Sequence, residues 1–413
     1  MELLRGNAIV GQSGGPTAAI NATLAGVIRG AMASEAIGTL YGMRNGIEGL
    51  QNERLLPLAP LFETEDARRL LEQTPAAALG SCRKKLPDVH SELPGDVAVY
   101  RTIFDVLRRY DIRYFFYIGG NDSMDTVAKM TAYAKKTGYD CRFVGVPKTI
   151  DNDLMHTDHT PGFGSAAKYI ATSVSEILRD CAVYTTKAVT VVEIMGRDTG
   201  WLTAASALGR LSGGEAPDYV YLPEYPFCAD RFFEDTATAL QKHPNVVIAV
   251  SEGLRFADGR YVGEGTQNGV TDIFGHRYLA GTGKALEHMV KEKFGCKVRS
   301  VELNILQRCA GHLLSLTDIR ESVEIGKAAV EAALAGVSGE TMVYERFSTA
   351  PYSCRISHRN VSEIANRTRY VPDEFINDLR NNVTDECCKY LLPLIHGEYD
   401  VRFENGIPAH IIL

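Results

Sequence analysis

Residues 114–126 read YFFYIGGNDSMDT and residues 142–153 read RFVGVPKTIDND. Both pieces have the same grammar. Residues 114–118 and 142–146 are apolar runs of β-forming residues, the signature of strands buried in a parallel sheet. A polar turn punctuated by Gly or Pro follows each run. In an open α/β sheet, ligands sit at such turns, outside the carboxyl ends of the strands. The two runs lie about thirty residues apart, which suits one βαβ crossover and two neighbouring strands.

The residues on these turns suit a particular chemistry. Gly119 and Gly120 lack side chains, so a ligand can approach the backbone closely. Asn121 and Asp122 follow, and Ser123 is expected to cap a helix over 124–136, whose first N–H groups favour phosphate. The second turn carries Lys148, Thr149, Asp151, Asn152 and Asp153. A cation, a hydroxyl and two carboxylates on one loop fit phosphoryl transfer, which needs charge neutralisation, a positioned metal and a base for the attacking hydroxyl. Either turn alone is also explained as a capped loop; together, each after a strand, they favour a site.

GGNDS and PKTIDND resemble the paired signatures of the phosphofructokinase family. ATP-dependent members carry GGDGS and PGTIDND. Here Asp122 and Lys148 replace glycines of that pattern, a combination that resembles the pyrophosphate-dependent branch. Asn121 stands where the pattern has a metal-associated Asp. The resemblance implies two Rossmann-like α/β/α domains with a C-terminal extension. One domain is expected from 1–155 plus about 306–340 and the other from 156–305, with the extension over 341–413.

Bulk properties set limits. The 413 residues are enough for two α/β domains or one large one. A net charge of −7 argues against nucleic acid as a partner, so an anionic substrate must be met by local cations. Nine Cys without regular spacing suggest reduced thiols in a cytoplasmic protein rather than a disulfide framework or a zinc site. No signal peptide and no membrane span are expected.

The other strand ends extend the pattern. Residues 8–10, the turn 11–16 and the helix 18–29 form a strand–turn–helix whose small residues leave N–H groups open to an anion. A tight βα turn explains it equally well; the family resemblance assigns Gly14 and Gly15 to pyrophosphate. LGSCRKKL brings Arg83, Lys84 and Lys85, either a solvated loop or, by resemblance, a donor-phosphate site with Arg83. MGR after the strand 188–194 offers a guanidinium fork for phosphate, unless Arg197 merely pairs with Asp198. The resemblance places Met195 and Gly196 in a fructose 6-phosphate pocket and Arg197 beside the transferred phosphoryl group. Thr149, Ile150 and Asp151 belong to the same pocket. Glu252, after the strand 246–250, reads as a sugar-hydroxyl ligand or as a helix-start charge; the family has a substrate Glu there. Glu224 is expected to be structural, Trp201 a core residue, and His156 and His159 loop histidines.

Arg308 matches a family ligand for the sugar 6-phosphate, with Ile305 replacing a His or Tyr. Arg299 matches an Arg that reaches a neighbouring subunit's site. Its usual companion is Ala188 here, with Lys187 beside it. The resemblance therefore implies a homodimer or homotetramer. After residue 340 a strand at 341–347, loops and one or two helices over 373–395 are expected.

The implied reaction is reversible transfer from pyrophosphate to the 1-hydroxyl of fructose 6-phosphate. Asp151 is the base. Lys148, Arg197 and Mg²⁺ spread the charge, with Asn121 and Asp153 toward the metal. Asp122 excludes a nucleotide, and Lys148 is expected to pair with it. Three alternatives are an ATP-dependent kinase, a non-catalytic sugar-phosphate binder, and an NAD enzyme. The last lacks GxGxxG. Sedoheptulose 7-phosphate remains an alternative acceptor.

Overall fold

The structure, a computed structural model, describes residues 4–264 and 281–413. Besides a short hairpin of Phe403–Glu404 with Ile407–Pro408, its strands, in chain order, are β1 Gly6–Gln12, β2 Ile37–Met43, β3 Leu55–Pro57, β4 Ile112–Gly119, β5 Arg142–Pro147, β6 Ala188–Ile194, β7 Tyr219–Tyr221, β8 Asn245–Ser251, β9 Lys297–Glu302, β10 Glu340–Thr349 and β11 Tyr352–Asn360. They build two sheets, with order β11-β10-β5-β4-β1-β2-β3 in the first and β7-β8-β6-β9 in the second. The second is parallel throughout, and the centre of the first is parallel with an antiparallel strand at each edge.

The expectation of an α/β fold with two Rossmann-like sheets is met. In β4, Tyr114, Phe116 and Ile118 face one core, with Ile20, Leu24, Ile325 and Val330 from the helices Ile20–Met32 and Leu316–Leu334. Phe115 and Tyr117 face the other, with Ile103, Phe104, Val127 and Met130 from the helices Pro94–Arg109 and Asn121–Thr137. Side chains alternate along a strand. A strand apolar at every position is therefore one that helices cover on both faces.

Two sequence expectations change. The helix after β4 begins at Asn121, not at 124, and Gly120 occupies its N-cap position. Ser123 lies inside the first turn and does not cap it; its hydroxyl meets that of Ser13 instead. Two glycines let β4 turn into the helix without a capping side chain. The second change follows residue 349, where a second strand, β11, replaces the expected loops. It pairs antiparallel with β10, and β10 pairs in parallel with β5.

The chain after residue 360 packs against the second sheet's helices. Val371, Ile376, Cys387, Leu391 and Leu394 share a core with Phe163, Ile170, Trp201 and Leu202. Trp201 is buried there, as its position at a helix start suggested. The nine cysteines form no disulfide.

His159 is not an ordinary loop histidine. It is 3% exposed, with Nδ1 2.9 Å from Asp158 and Nε2 2.7 Å from Glu321. Its ring stacks on Tyr344 with centroids 4.3 Å apart. Burial opposes a charge, but the two carboxylates overcome that effect and raise its pKa to about 9. The imidazolium thus joins the loop after β5 to β10 and to the helix Leu316–Leu334.

Candidate active site

The carboxyl ends of both sheets open on one cleft of about 540 Å³. β1 lies between β2 and β4, where strand order reverses, the place where such sheets bind ligands. From the first sheet come Gly14, Gly15 and Arg83, then Asn121, Asp122 and Ser123. The loop after β5 brings Lys148, Thr149, Ile150, Asp151 and Asp153. The second sheet adds Met195, Arg197 and Glu252, and Arg308 closes that end.

Local backbone explains these positions. Gly14 has φ 79°, a left-handed conformation that Gly adopts at low cost, and a side chain there would crowd the Lys148 ammonium. Gly119 has no room for a Cβ, which would collide with the Ser123 hydroxyl. In TIDND, Asn152 takes φ 55°, a conformation Asn tolerates. That turn buries Asn152 completely and leaves Asp151 and Asp153 on the cleft wall. The Thr149 hydroxyl accepts from the Asp151 N–H at 3.1 Å, and the Thr199 hydroxyl donates to the Asp151 carbonyl at 3.1 Å. The proposed base is thus fixed by its backbone, leaving its carboxylate available to substrate.

Lys148 is 3% exposed. Its ammonium donates to the Gly15 carbonyl at 2.5 Å and not, as expected, to Asp122. The partner of Asp122 is Lys85, at 3.0 Å, with both side chains about half exposed. The reason is geometric: the helix starting at Asn121 turns Asp122 outward, toward the RKK loop, while Lys148 points down at the glycine turn. Asp198 likewise pairs with Arg255, at 2.6 Å, and Arg197 lines the cleft.

Electrostatics couple these groups. Burial lowers the Lys148 pKa to about 8, although Asp151 and Asp153 oppose the drop. Burial raises Asp151 above the ordinary carboxylate range against the pull of Lys148 and Arg197. Asp153 rises to about 7 through burial and the neighbouring Asp151 charge. Burial raises Glu252 to about 8 although it accepts the Gly196 N–H at 3.3 Å. Carboxylates shifted toward neutrality beside a buried lysine are the arrangement expected of proton-transfer sites.

The donors suit a hard cation. The Asn121 side-chain carbonyl is buried without a hydrogen-bond partner among the described residues, and the Asp153 carboxylate lines the same cleft. No cluster of three His, Cys, Asp or Glu side chains able to hold a metal occurs among the described residues. Few protein oxygens with the remainder from substrate and water is how Mg²⁺ is commonly bound beside phosphates.

Two expected residues stand apart. Gly196 donates its N–H to Glu252 and does not itself line the cleft. Arg299 lies outside the cleft, exposed, 3.8 Å from Asp180. Conversely, the cleft includes Lys85, Asn366 and Thr368, for which sequence reasoning named no role. Lys85 was visible within the basic cluster. Asn366 and Thr368 lie in IANRTRYVPDEFI, residues 364–376, a stretch that resembles extensions of pyrophosphate-type members but whose resemblance gave no single residue a role.

A family model described as Phosphofructokinase matches residues 7–333. The pyrophosphate–fructose 6-phosphate 1-phosphotransferase of Halomonas elongata is 41% identical over 405 residues, covering 97% of this chain and 94% of that protein. The protein of the same name from Methylococcus capsulatus is 40% identical, covering 98% of this chain and 96% of its own length. Among solved structures, a pyrophosphate-dependent phosphofructokinase from Nitrosospira multiformis superposes with a TM-score of 0.88 at 36% identity, covering 98% of this chain and 96% of that one.

Proposed function

The chain belongs to the phosphofructokinase family, and on that premise we propose that it transfers a phosphoryl group reversibly from pyrophosphate to the 1-hydroxyl of fructose 6-phosphate. The products are fructose 1,6-bisphosphate and phosphate. The observation that carries the donor assignment is the Lys85–Asp122 ion pair beside the buried Lys148. A nucleotide would place further phosphate against the Asp122 carboxylate, whereas pyrophosphate ends there.

Asp151 takes the proton of the 1-hydroxyl as that oxygen attacks. Lys148 and Arg197 face the transferring group and balance its charge without reorganisation during the reaction. The glycine turn, Ser123 and Arg83 orient the donor. Met195, Glu252 and Arg308 hold the sugar phosphate. Asn121 and Asp153 would hold Mg²⁺, which when bound neutralises charge on the donor oxygens. In reverse, phosphate attacks the 1-phosphoryl group and the sugar oxygen leaves, taking back the proton from Asp151; one phosphoanhydride bond is exchanged for one phosphoester, and turnover is expected in both directions. The family resemblance assigns the enzyme to glycolytic chemistry in the cytoplasm; among the described residues no helix is long and apolar enough to cross a membrane.

The deciding assay compares pyrophosphate with ATP as donor on purified protein with fructose 6-phosphate and Mg²⁺. Turnover with pyrophosphate is expected; turnover with ATP alone would overturn the donor assignment. Asp122→Gly is expected to lower kcat/KM for pyrophosphate by about fivefold, the scale of one exposed ion pair, and to admit ATP. Unchanged pyrophosphate kinetics with no ATP turnover would refute the role given to Asp122.

Arg299 is assigned to the substrate site of a neighbouring copy, in a homodimer or homotetramer, with Lys187 as its companion. The variant Arg299→Ala should then raise KM for fructose 6-phosphate by about tenfold or more, as expected when a charged hydrogen bond is lost, and leave KM for pyrophosphate alone. A monomeric protein with full activity in analytical ultracentrifugation and assay would exclude this sharing.

A further inference from the structure

The cleft wall contains a segment that lies beyond the family match, which ends at residue 333. Asn366 and Thr368 face the cleft, and Arg369 follows them. The Arg369 N–H donates to the Asp153 carbonyl at 2.8 Å. Its guanidinium donates to the Thr157 carbonyl at 2.5 Å and also to the Asp158 carbonyl. It further donates to the Tyr390 hydroxyl at 3.1 Å. The guanidinium lies over the Trp201 ring, 4.4 Å from its centroid, and the Trp201 indole N–H donates to the Arg369 carbonyl at 3.1 Å. Two residues on, the Val371 N–H donates to Glu224 at 3.0 Å, and Glu224 also accepts the Gly200 N–H at 2.8 Å.

These bonds have a direction. They run from both ends of the loop 153–158, which follows the proposed base, to the helix start at Trp201, which follows Arg197. Backbone carbonyls of a loop have no partners of their own unless something supplies donors. Here one planar, always-charged fork serves two of them. The stacked indole holds the fork in its plane.

We propose that Arg369 is a positioning residue for phosphoryl transfer: it sets the loop carrying Asp151 and Asp153 against the wall carrying Arg197. This rests on the phosphotransferase reading above. Arg369 does not touch substrate; it acts through the loop it holds.

The test uses Arg369→Ala and Arg369→Lys in the full chain. Expected is a fall in kcat of about 10- to 100-fold, the scale of a small misplacement of reacting groups, with KM for both substrates close to wild type. Added guanidinium ion should restore part of the kcat of the alanine variant by refilling the slot over Trp201. Trp201 is the chain's one tryptophan, so its emission reports the emptied slot directly. Unchanged kcat, a loss confined to KM, or unaltered Trp201 emission would each overturn the proposal. A kcat loss that guanidinium fails to restore would do so too. Should the alanine variant not fold, the lysine variant decides on the same kcat and emission readings. Wild-type protein inert toward pyrophosphate and fructose 6-phosphate would defeat the functional reading instead, while the emission shift would still report on the clamp.

Discussion

Asp151→Ser is expected to lower turnover by about 10²- to 10⁴-fold in both directions while fructose 6-phosphate binds as before. The substitution keeps the backbone hydrogen bonds of the turn, since these use the N–H and carbonyl of residue 151 rather than its side chain. What is lost is the group that receives the proton. Steady-state rates in each direction and calorimetric titration with fructose 6-phosphate separate the two effects. Retained turnover would show that another group, or water, is the base. Weakened sugar binding with normal kcat would reassign Asp151 to substrate holding.

The second large effect is expected at Lys148. Replacing it by Met keeps most of the buried volume and removes the charge. Loss of a preorganised charge at the transferring group costs on the order of 10²- to 10³-fold. The effect should appear in kcat/KM for pyrophosphate and scarcely in KM for the sugar. The pH profile makes this specific. With its pKa lowered to about 8, Lys148 is charged below that pH and neutral above it, so donor capture should fall as pH rises through about 8. Asp151 and Asp153 carry raised values, so activity should fall on the acid side as these carboxylates take up protons. The resulting bell belongs to the coupled group rather than to single residues. Lys148→Met should abolish the alkaline limb and move the acid limb to higher pH, because the Lys148 charge no longer holds the Asp151 and Asp153 values down. A wild-type profile in the variant would exclude Lys148 as the group titrating there.

The parts of this molecule written as strong periodic signals were the parts legible in the sequence. β4 and β5 were legible because a strand covered on both faces is apolar at every position. The residues at strand ends were legible because phosphate chemistry restricts them to glycines, cations and carboxylates. Lys148 lines the cleft, but its hydrogen-bond partner is not the one the sequence suggested. Whether its ammonium reaches Gly15 or Asp122 depends on where the neighbouring helix begins, and two consecutive glycines leave that start undetermined locally. β11 was missed because it is an edge strand paired only with β10, and none of its residues is buried, so no apolar run marks it. Arg369 was unreadable for a deeper reason. Its partners are backbone carbonyls, which every residue possesses, so no side-chain pattern marks them. His159 was misjudged similarly: Glu321, which charges it, is 162 positions away.

The order in which the first sheet is assembled bears on how the polypeptide emerges from the ribosome. β5 ends at Pro147, and the strand that covers its free edge, β10, starts at Glu340. The whole second sheet is synthesised between them. At about 5–20 residues per second, that edge stays open for roughly 10–40 s of translation. Exposed strand edges invite pairing with other chains. Early termination before residue 340 would therefore leave a nascent chain that is both inactive and prone to self-association. Full-length product would escape that fate only once β10, in the last fifth of the chain, had been made.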